Sequence, residues 1–219
     1  MKYNYILWDF DGTLAYTGAD VWGSLEYAAQ KCGGTIPAQY RKDDSNLGKS
    51  VWEIFHQVTP FPGEDKYEEY DELVRIHYRT ISEYPGTCLY EGIRELLLRL
   101  REKGAVNSII TMKPREALER ILDKKGWGGY FEERYSPDSF SGTEKTKSEL
   151  IRHVIEREPD KSYVYIGDTW SDVRAAHDNG IPCIAVTYGD GDTEKLTGEQ
   201  PEYIADDVSG IADILEKGV

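Results

Sequence analysis

Short apolar runs alternate with helix-patterned segments along most of the chain. Apart from Asn107 and Ser108, which weaken one of them, the strand-like runs are apolar without interruption, as is typical of parallel strands buried on both faces. They are Tyr5–Trp8, Val106–Ile110, Tyr163–Ile166, Ile184–Val186 and Tyr203–Ala205. Helical spacing marks residues 91–103, 114–125, 147–157, 171–179 and 208–217. Strands that alternate with helices predict an α/β fold, a doubly wound parallel sheet covered on both faces.

Residues 17–84 interrupt this alternation. The stretch contains no comparably strong strand and is helical in pattern, with scattered aromatic residues, and Pro85-Gly86 marks its end. We therefore predict an α/β core domain formed by residues 1–16 and 85–219, with residues 17–84 inserted as a helical domain. The core of this inserted domain is expected to contain Trp22, Trp52 and Phe55.

Charge and composition narrow the classes of function. The net charge of −14 over 219 residues opposes binding to a nucleic-acid backbone. No run approaches the roughly 18 apolar residues of a membrane helix, and the first residues lack the long apolar region of a secretory signal. The three scattered cysteines fit a reducing compartment. We expect a cytoplasmic protein without nucleic-acid or membrane partners; its oligomeric state does not follow from the sequence.

Polar residues follow three of the predicted strands. These segments are Asp9–Leu14, Thr111–Lys113 and Gly167–Asp172. Ligands of open parallel sheets bind beyond the carboxyl ends of the strands, so we expect the three segments to meet at one edge. Carboxylates gathered there raise one another's pKa unless protons or a metal ion relieve the repulsion. Oxygen ligands without nearby cysteine or histidine favour Mg²⁺ over zinc.

Asp9 and Asp11 are two residues apart, so extended backbone would project both to one side. One carboxylate can then attack phosphorus as a nucleophile, while the other, when protonated, gives a proton to the leaving oxygen. The structural alternative is a turn rich in aspartate after a strand. The full sequence Asp-Phe-Asp-Gly-Thr-Leu, placed directly after an apolar strand, favours the catalytic interpretation.

Thr111 follows the second predicted strand and precedes a helix that Pro114 opens. Its hydroxyl group and the amide of Met112 are suited to hold phosphate oxygens, because helix N-termini attract anions. The alternative for Thr111 is an ordinary helix cap. Lys113 is expected either to face the substrate or to be exposed.

The first hexapeptide, together with Thr111 and the downstream pattern Gly167-Asp168-x-x-x-Asp172, resembles the haloacid dehalogenase-like superfamily of aspartyl-phosphate phosphatases. The resemblance covers essentially the whole chain and implies a Rossmann-like core with a helical cap domain. It implies that Asp9 is the nucleophile and a magnesium ligand. It also implies that Asp11 is the general acid and base, with its main-chain carbonyl on the metal, and that Asp168 is the third ligand.

The same resemblance implies supporting residues around the metal ligands. Asp172 is expected one helical turn after Asp168, on the same face, where it would orient metal-bound water or a lysine. Thr13 is expected to support the ligands in the same way. The family also requires a lysine at the start of a helix; Lys147 and Lys145 both qualify, and we favour Lys147 because it fits phosphoglycolate phosphatase-like members.

The resemblance makes the inserted domain a lid over the active site, in which Lys49 would recognise a far anionic group of the substrate. The expected function is magnesium-dependent hydrolysis of a small phosphorylated metabolite through an aspartyl-phosphate, as in phosphoglycolate phosphatase. Two alternatives stay open at this stage. They are a phosphomutase of the β-phosphoglucomutase type and a non-catalytic metabolite-binding protein.

Overall fold

The structure is a computed structural model that describes residues 2–217. The chain divides into two compact units, one made of the residues up to Tyr16 and from Cys88 onward, and the other of Thr17–Thr87. The second boundary lies slightly beyond the one predicted from Pro85-Gly86. The shifted boundary reflects the pairing of Ala15–Tyr16 with Cys88–Leu89. The chain enters the smaller unit directly after the first of these short strands and leaves it directly before the second.

Eight strands and ten α-helices are found within residues 2–217. The strands are β1 Tyr5–Trp8, β2 Ala15–Tyr16, β3 Cys88–Leu89, β4 Val106–Ile110, β5 Glu133–Tyr135, β6 Tyr163–Gly167, β7 Cys183–Val186 and β8 Tyr203–Ala205. The helices are α1 Gly18–Lys31, α2 Ala38–Arg41, α3 Val51–Phe55, α4 Tyr67–Ile76, α5 Ile93–Glu102, α6 Arg115–Lys125, α7 Lys147–Arg157, α8 Trp170–His177, α9 Thr193–Gly198 and α10 Val208–Lys217.

The larger unit is built on a parallel sheet with the strand order β5-β4-β1-β6-β7-β8. β1 lies between β4 and β6, with Trp8 opposite Ile109 on one side and Ile166 on the other. The chain leaves all three strands at the same edge. The residues after β1, β4 and β6 are therefore brought together, although they are far apart in the sequence.

The strands of the larger unit are buried because both faces of the sheet are covered. Leu7 packs with Leu150, Val154 and Val173 of α7 and α8 in one buried cluster. β4 also contains a polar residue, Asn107, which weakens its apolar pattern. Asn107 is only 1% exposed, and its side-chain oxygen accepts a hydrogen bond of 3.0 Å from the Trp8 indole. The polar residue is thus accommodated by a partner within the sheet.

The smaller unit is helical, as its sequence pattern predicts. Its core contains Trp22 of α1, Phe55 of α3 and Tyr70 of α4. Trp52 was expected in this core but is 41% exposed, so that prediction is wrong. One face of the five-residue helix α3 is solvated, and Trp52 lies on that side while its ring contacts the edge of Tyr67. Across residues 2–217, no helix has the length and apolar character needed to cross a bilayer.

Candidate active site

Asp9 is the first residue beyond β1 and lies in the interior, 6% exposed. Its amide donates a hydrogen bond of 2.9 Å to the Ile166 carbonyl, which extends the pairing of β1 with β6 by one residue. Its carboxylate oxygen Oδ2 accepts from Lys147 Nζ at 3.0 Å. The other oxygen, Oδ1, is buried and has no hydrogen-bond partner among the described residues. A buried polar oxygen without a partner costs free energy unless a bound ligand interacts with it.

Lys147 is the first residue of α7. Thr146 and Glu149 begin this helix with a reciprocal capping box, which fixes the position of the lysine. Its ammonium group bonds to Asp172 Oδ1 as well as to Asp9, and the side chain is 9% exposed. Lys145 is exposed and pairs with Glu149 at 3.4 Å. Of the two candidate lysines, the geometry favours Lys147.

Asp168 and Asp172 both come close to Asp9, but not in the predicted way. Asp168 belongs to the loop after β6, and α8 begins only at Trp170, so the two aspartates do not share a helical face. Carboxylate oxygens of Asp9, Asp168 and Asp172 nevertheless lie within 4.8 Å of one another. Asp172 Oδ2 accepts from the Thr169 amide at 2.9 Å. Asp172 therefore caps α8 with one oxygen and binds Lys147 with the other.

This concentration of buried acids perturbs their protonation. Burial raises the pKa of Asp9 to about 6, against the attraction of Lys147 and with the repulsion of Asp172. Burial, reinforced by the charges of Asp9 and Asp172, raises the pKa of Asp168 to about 7. Burial lowers the pKa of Lys147, but Asp9 and Asp172 more than offset it and hold that pKa above its ordinary value. Lys147 therefore stays cationic, but its single positive charge does not balance the negative charges of the three clustered carboxylates.

Asp11 lies apart from the three clustered carboxylates. Its side chain is 37% exposed, and its Oδ1 is 2.8 Å from the ammonium nitrogen of Lys113. Lys113 itself is 7% exposed, so the expectation of an exposed lysine is wrong. The pair places a carboxyl group with access to solvent next to a buried cation.

Thr111 is buried at the end of β4, 1% exposed. Its amide donates to the Tyr135 carbonyl of β5 at 3.0 Å, which fixes the backbone at this point. Its hydroxyl oxygen accepts from the Lys113 amide at 3.2 Å, so the hydroxyl hydrogen can be donated elsewhere. The side chain of Met112, between them, is 48% exposed. The phosphate contact predicted for Met112 concerns its main-chain amide and does not depend on this side chain.

The loop that follows β7 contributes to the site and was not predicted from the sequence. The amides of Asp190 and Gly191 donate to Asp168 Oδ2 at 3.0 and 3.1 Å. Thr13, which was expected to support the ligands, donates to Asp168 Oδ1 at 3.2 Å, and the Tyr188 hydroxyl donates to the Thr13 carbonyl at 2.8 Å. The available signal was the glycine spacing in Tyr-Gly-Asp-Gly directly after a predicted strand.

Lys49 belongs to the smaller unit. Its ammonium group donates to Asn46 at 2.7 Å and lies 5.0 Å from the centre of the Tyr40 ring. Its contact with a substrate stays a prediction.

The donor set is suited to a hard divalent cation. Asp9 and Asp168 offer only oxygen ligands. Oδ1 of Asp9, which is buried and has no hydrogen-bond partner among the described residues, is the atom that would bind such an ion. The surroundings of Asp168 leave no room for added side chains, since a Cβ at Gly189 would come within 2.5 Å of the Asp168 carboxylate. Asp172 is less suited as a ligand because Lys147 and Thr169 already bind its two oxygens.

Comparisons with known proteins agree with this arrangement. A family model described as haloacid dehalogenase-like hydrolase matches residues 6–186. A 5'-nucleotidase of Pseudomonas aeruginosa is 28% identical over 218 residues, 99% of this chain and 97% of the relative. A phosphoglycolate phosphatase of Agrobacterium fabrum is 26% identical over 216 residues, 95% of this chain and 91% of the relative.

Among solved structures, a candidate phosphatase from Clostridium difficile superposes with a TM-score of 0.85 at 27% identity. The alignment covers 97% of this chain and 98% of that one. The predicted fold class, a parallel sheet with flanking helices, is thereby confirmed, and the family expected from the first hexapeptide is confirmed by the matching model. The chain belongs to the haloacid dehalogenase-like hydrolase family.

Proposed function

We propose that this chain is a magnesium-dependent phosphatase that hydrolyses a small phosphate monoester through a phosphorylated Asp9. One observation carries the proposal. The Asp9 carboxylate is buried at the end of the central strand, keeps one oxygen without a partner, and lies within reach of a lysine and a second acid. A structural aspartate would have no need of this combination.

Several residues of the site are suited to bind the phosphoryl group. The Thr111 hydroxyl and the Met112 amide would hold its oxygens at the end of β4, and Lys147 would balance charge beside Asp9. Asp9, Asp168 and the main-chain carbonyl of Asp11 would hold Mg²⁺. The ion would neutralise the acids and screen the negative charge that otherwise repels an anionic nucleophile from an anionic ester.

The reaction would proceed in two displacements. A carboxylate oxygen of Asp9 attacks phosphorus and forms a P–O bond, while the bond to the leaving oxygen breaks and Asp11 gives that oxygen its proton. Water then attacks the phosphorylated Asp9, and Asp11 takes a proton from it. The acyl-phosphate bond breaks, inorganic phosphate leaves, and both aspartates return to their starting states. Lys113, which pairs with Asp11, would hold this acid in position throughout.

The substrate would be a small phosphorylated metabolite. The two relatives named above act, by their names, on phosphoglycolate and on nucleoside 5'-phosphates. We propose a phosphoglycolate phosphatase-like activity, with Lys49 of the inserted domain as the residue that would recognise a second anionic group.

The first test is phosphate release from a generic aryl phosphate. Activity should disappear in the presence of a chelator and return when Mg²⁺ is added in excess. Turnover that resists the chelator would contradict the metal assignment. A panel containing phosphoglycolate, sugar phosphates and nucleoside monophosphates would then rank the substrate classes. Transfer of phosphate back to a sugar phosphate, instead of its release, would favour the mutase alternative.

A further inference from the structure

Tyr188–Gly191, here called the glycine loop, comes shortly after β7, which ends at Val186, and the loop contacts Asp168. Two consecutive amides of this loop, those of Asp190 and Gly191, converge on one carboxylate oxygen, Oδ2 of Asp168. Asp168 is 2% exposed. Carboxylates that bind metal ions are commonly held by hydrogen bonds from surrounding groups, and here two main-chain donors take the same oxygen.

The acceptor sites of the Asp168 carboxylate show what the two donors do. An ionised carboxylate offers about four lone pairs, two on each oxygen. The two loop amides use both sites on Oδ2, at 3.0 and 3.1 Å. Thr13 uses one site on Oδ1, at 3.2 Å. One acceptor site therefore remains, on Oδ1. The Asp168 carboxylate has an oxygen within 4.8 Å of a carboxylate oxygen of Asp9, so a cation could bind both residues.

The loop approaches so closely only because it has glycines at two positions. A Cβ at Gly189 would lie within 2.5 Å of the Asp168 side chain and would also overlap the Gly12 carbonyl oxygen. A Cβ at Gly191 would overlap the Asp168 main-chain carbonyl. Neither glycine is among those with positive φ, so the requirement comes from these contacts and not from the backbone conformation.

We propose that the glycine loop is a positioning element of the metal site. It occupies Oδ2 of Asp168, so Oδ1 is the oxygen presented to the divalent cation. The Tyr188 hydroxyl, which bonds to the Thr13 carbonyl at 2.8 Å, ties the same loop to the segment that follows the nucleophile. The inference rests on the proposed metal site and adds to it the residues that orient one of its ligands.

The test is the affinity of the substrate-free protein for Mn²⁺ and Mg²⁺, measured by calorimetry and by the paramagnetic resonance of free Mn²⁺. Gly189→Ala should weaken binding by about 10-fold or more, which is the usual cost of disturbing groups that orient metal ligands. Gly198→Ala is the matched control, since a Cβ there meets nothing within 4 Å. It should change the affinity by less than about 2-fold.

A second pair of variants removes a single donor. Asp190→Pro and Asp190→Ala both lose the carboxylate, but only proline loses the amide hydrogen. Asp190→Pro should bind the ions several-fold more weakly than Asp190→Ala. If Gly189→Ala does not fold, this pair of variants tests whether the amides of the glycine loop affect metal affinity. Equal affinities in folded variants would overturn the role of the glycine loop alone. A wild-type protein that binds neither ion would overturn the proposed function as well.

Discussion

Lys147 bonds to the buried carboxylates of Asp9 and Asp172 at the same time. Removing one partner of a buried ion pair leaves an uncompensated charge, which is more damaging than the loss of an exposed pair. Lys145, two residues earlier, makes an exposed pair with Glu149. The sequence contained both lysines within one motif and favoured Lys147 by resemblance alone; the folded helix start shows that their surroundings differ.

We therefore predict different outcomes for the two lysines. Lys147→Ala should lower kcat by about 100-fold or more, because charge beside the phosphoryl group is lost. Lys145→Ala should stay within about 2-fold of wild type, as expected for an exposed pair. Steady-state hydrolysis of an aryl phosphate measures both. If Lys145→Ala were inactive while Lys147→Ala kept its activity, the assignment would have to be reversed.

Asp168 leads to a prediction about stability. Its pKa is raised to about 7 in the folded, metal-free protein, compared with about 3.9 for an unperturbed aspartate. The folded state therefore binds this proton more tightly. The stabilising effect is fully present at low pH and is lost as the pH rises from about 4 to about 7. An ionised Asp168 destabilises the metal-free fold above this range.

Asp168→Asn should consequently stabilise the metal-free protein at pH 8 by about 1–3 kcal/mol, while abolishing activity. The gain should disappear as the pH falls to about 4, where Asp168 of the folded wild-type protein is protonated and neutral, as asparagine is in the variant. Urea unfolding in the presence of a chelator measures the difference, and the exposed Asp160→Asn serves as control. A destabilised variant at pH 8 would show that the carboxylate is satisfied without a cation.

At the scale of elements, the site depends on where helices begin. α7 starts at Lys147 because Thr146 and Glu149 form a capping box. α8 starts after Thr169, whose amide binds Asp172. The helix starts and the proposed chemistry thus use neighbouring or identical residues, so a capping role of Asp172 does not exclude a role in the active site.

This coupling predicts that a cap variant affects catalysis. Thr146→Ala should cost about 1 kcal/mol of stability and lower kcat several-fold, since the first turn of α7 carries Lys147. Asp207→Ala removes a comparable cap, the bond of 2.9 Å to the Gly210 amide at the start of α10. It should cost similar stability and leave kcat unchanged. Equal kcat values for the two variants would show that the capping box of α7 does not contribute to catalysis.

The elements also show how far a sequence pattern reaches. β1 and β6 were predictable because each is a continuous apolar run buried on both faces, and β4 because apolar residues flank its two polar ones, Asn107 and Ser108. β5 was not, because its three residues, Glu133–Tyr135, are only partly buried and carry two charges. The glycine loop was missed for a different reason. It acts through main-chain amides, and backbone donors leave almost no mark in a sequence.

At the scale of the whole molecule, the site is a consequence of strand order. β1 lies between β4 and β6, so Asp9, Thr111 and Asp168 meet at one edge of the sheet although their positions in the chain are distant. The general rule for parallel sheets predicted this meeting, and the motifs predicted most of its members. The pairing of Lys113 with Asp11 did not follow from either, because it depends on side-chain directions after the turn.

The central claim is that Asp9 itself becomes phosphorylated. The most direct measurement is to quench the enzyme with acid during turnover, reduce it with borohydride, and sequence the peptides by mass spectrometry. Borohydride converts an aspartyl-phosphate to homoserine and leaves free carboxylates unchanged. We predict homoserine at position 9 in the presence of substrate and Mg²⁺, and none in the chelated control. Homoserine at another aspartate, or its absence under full turnover, would contradict the account.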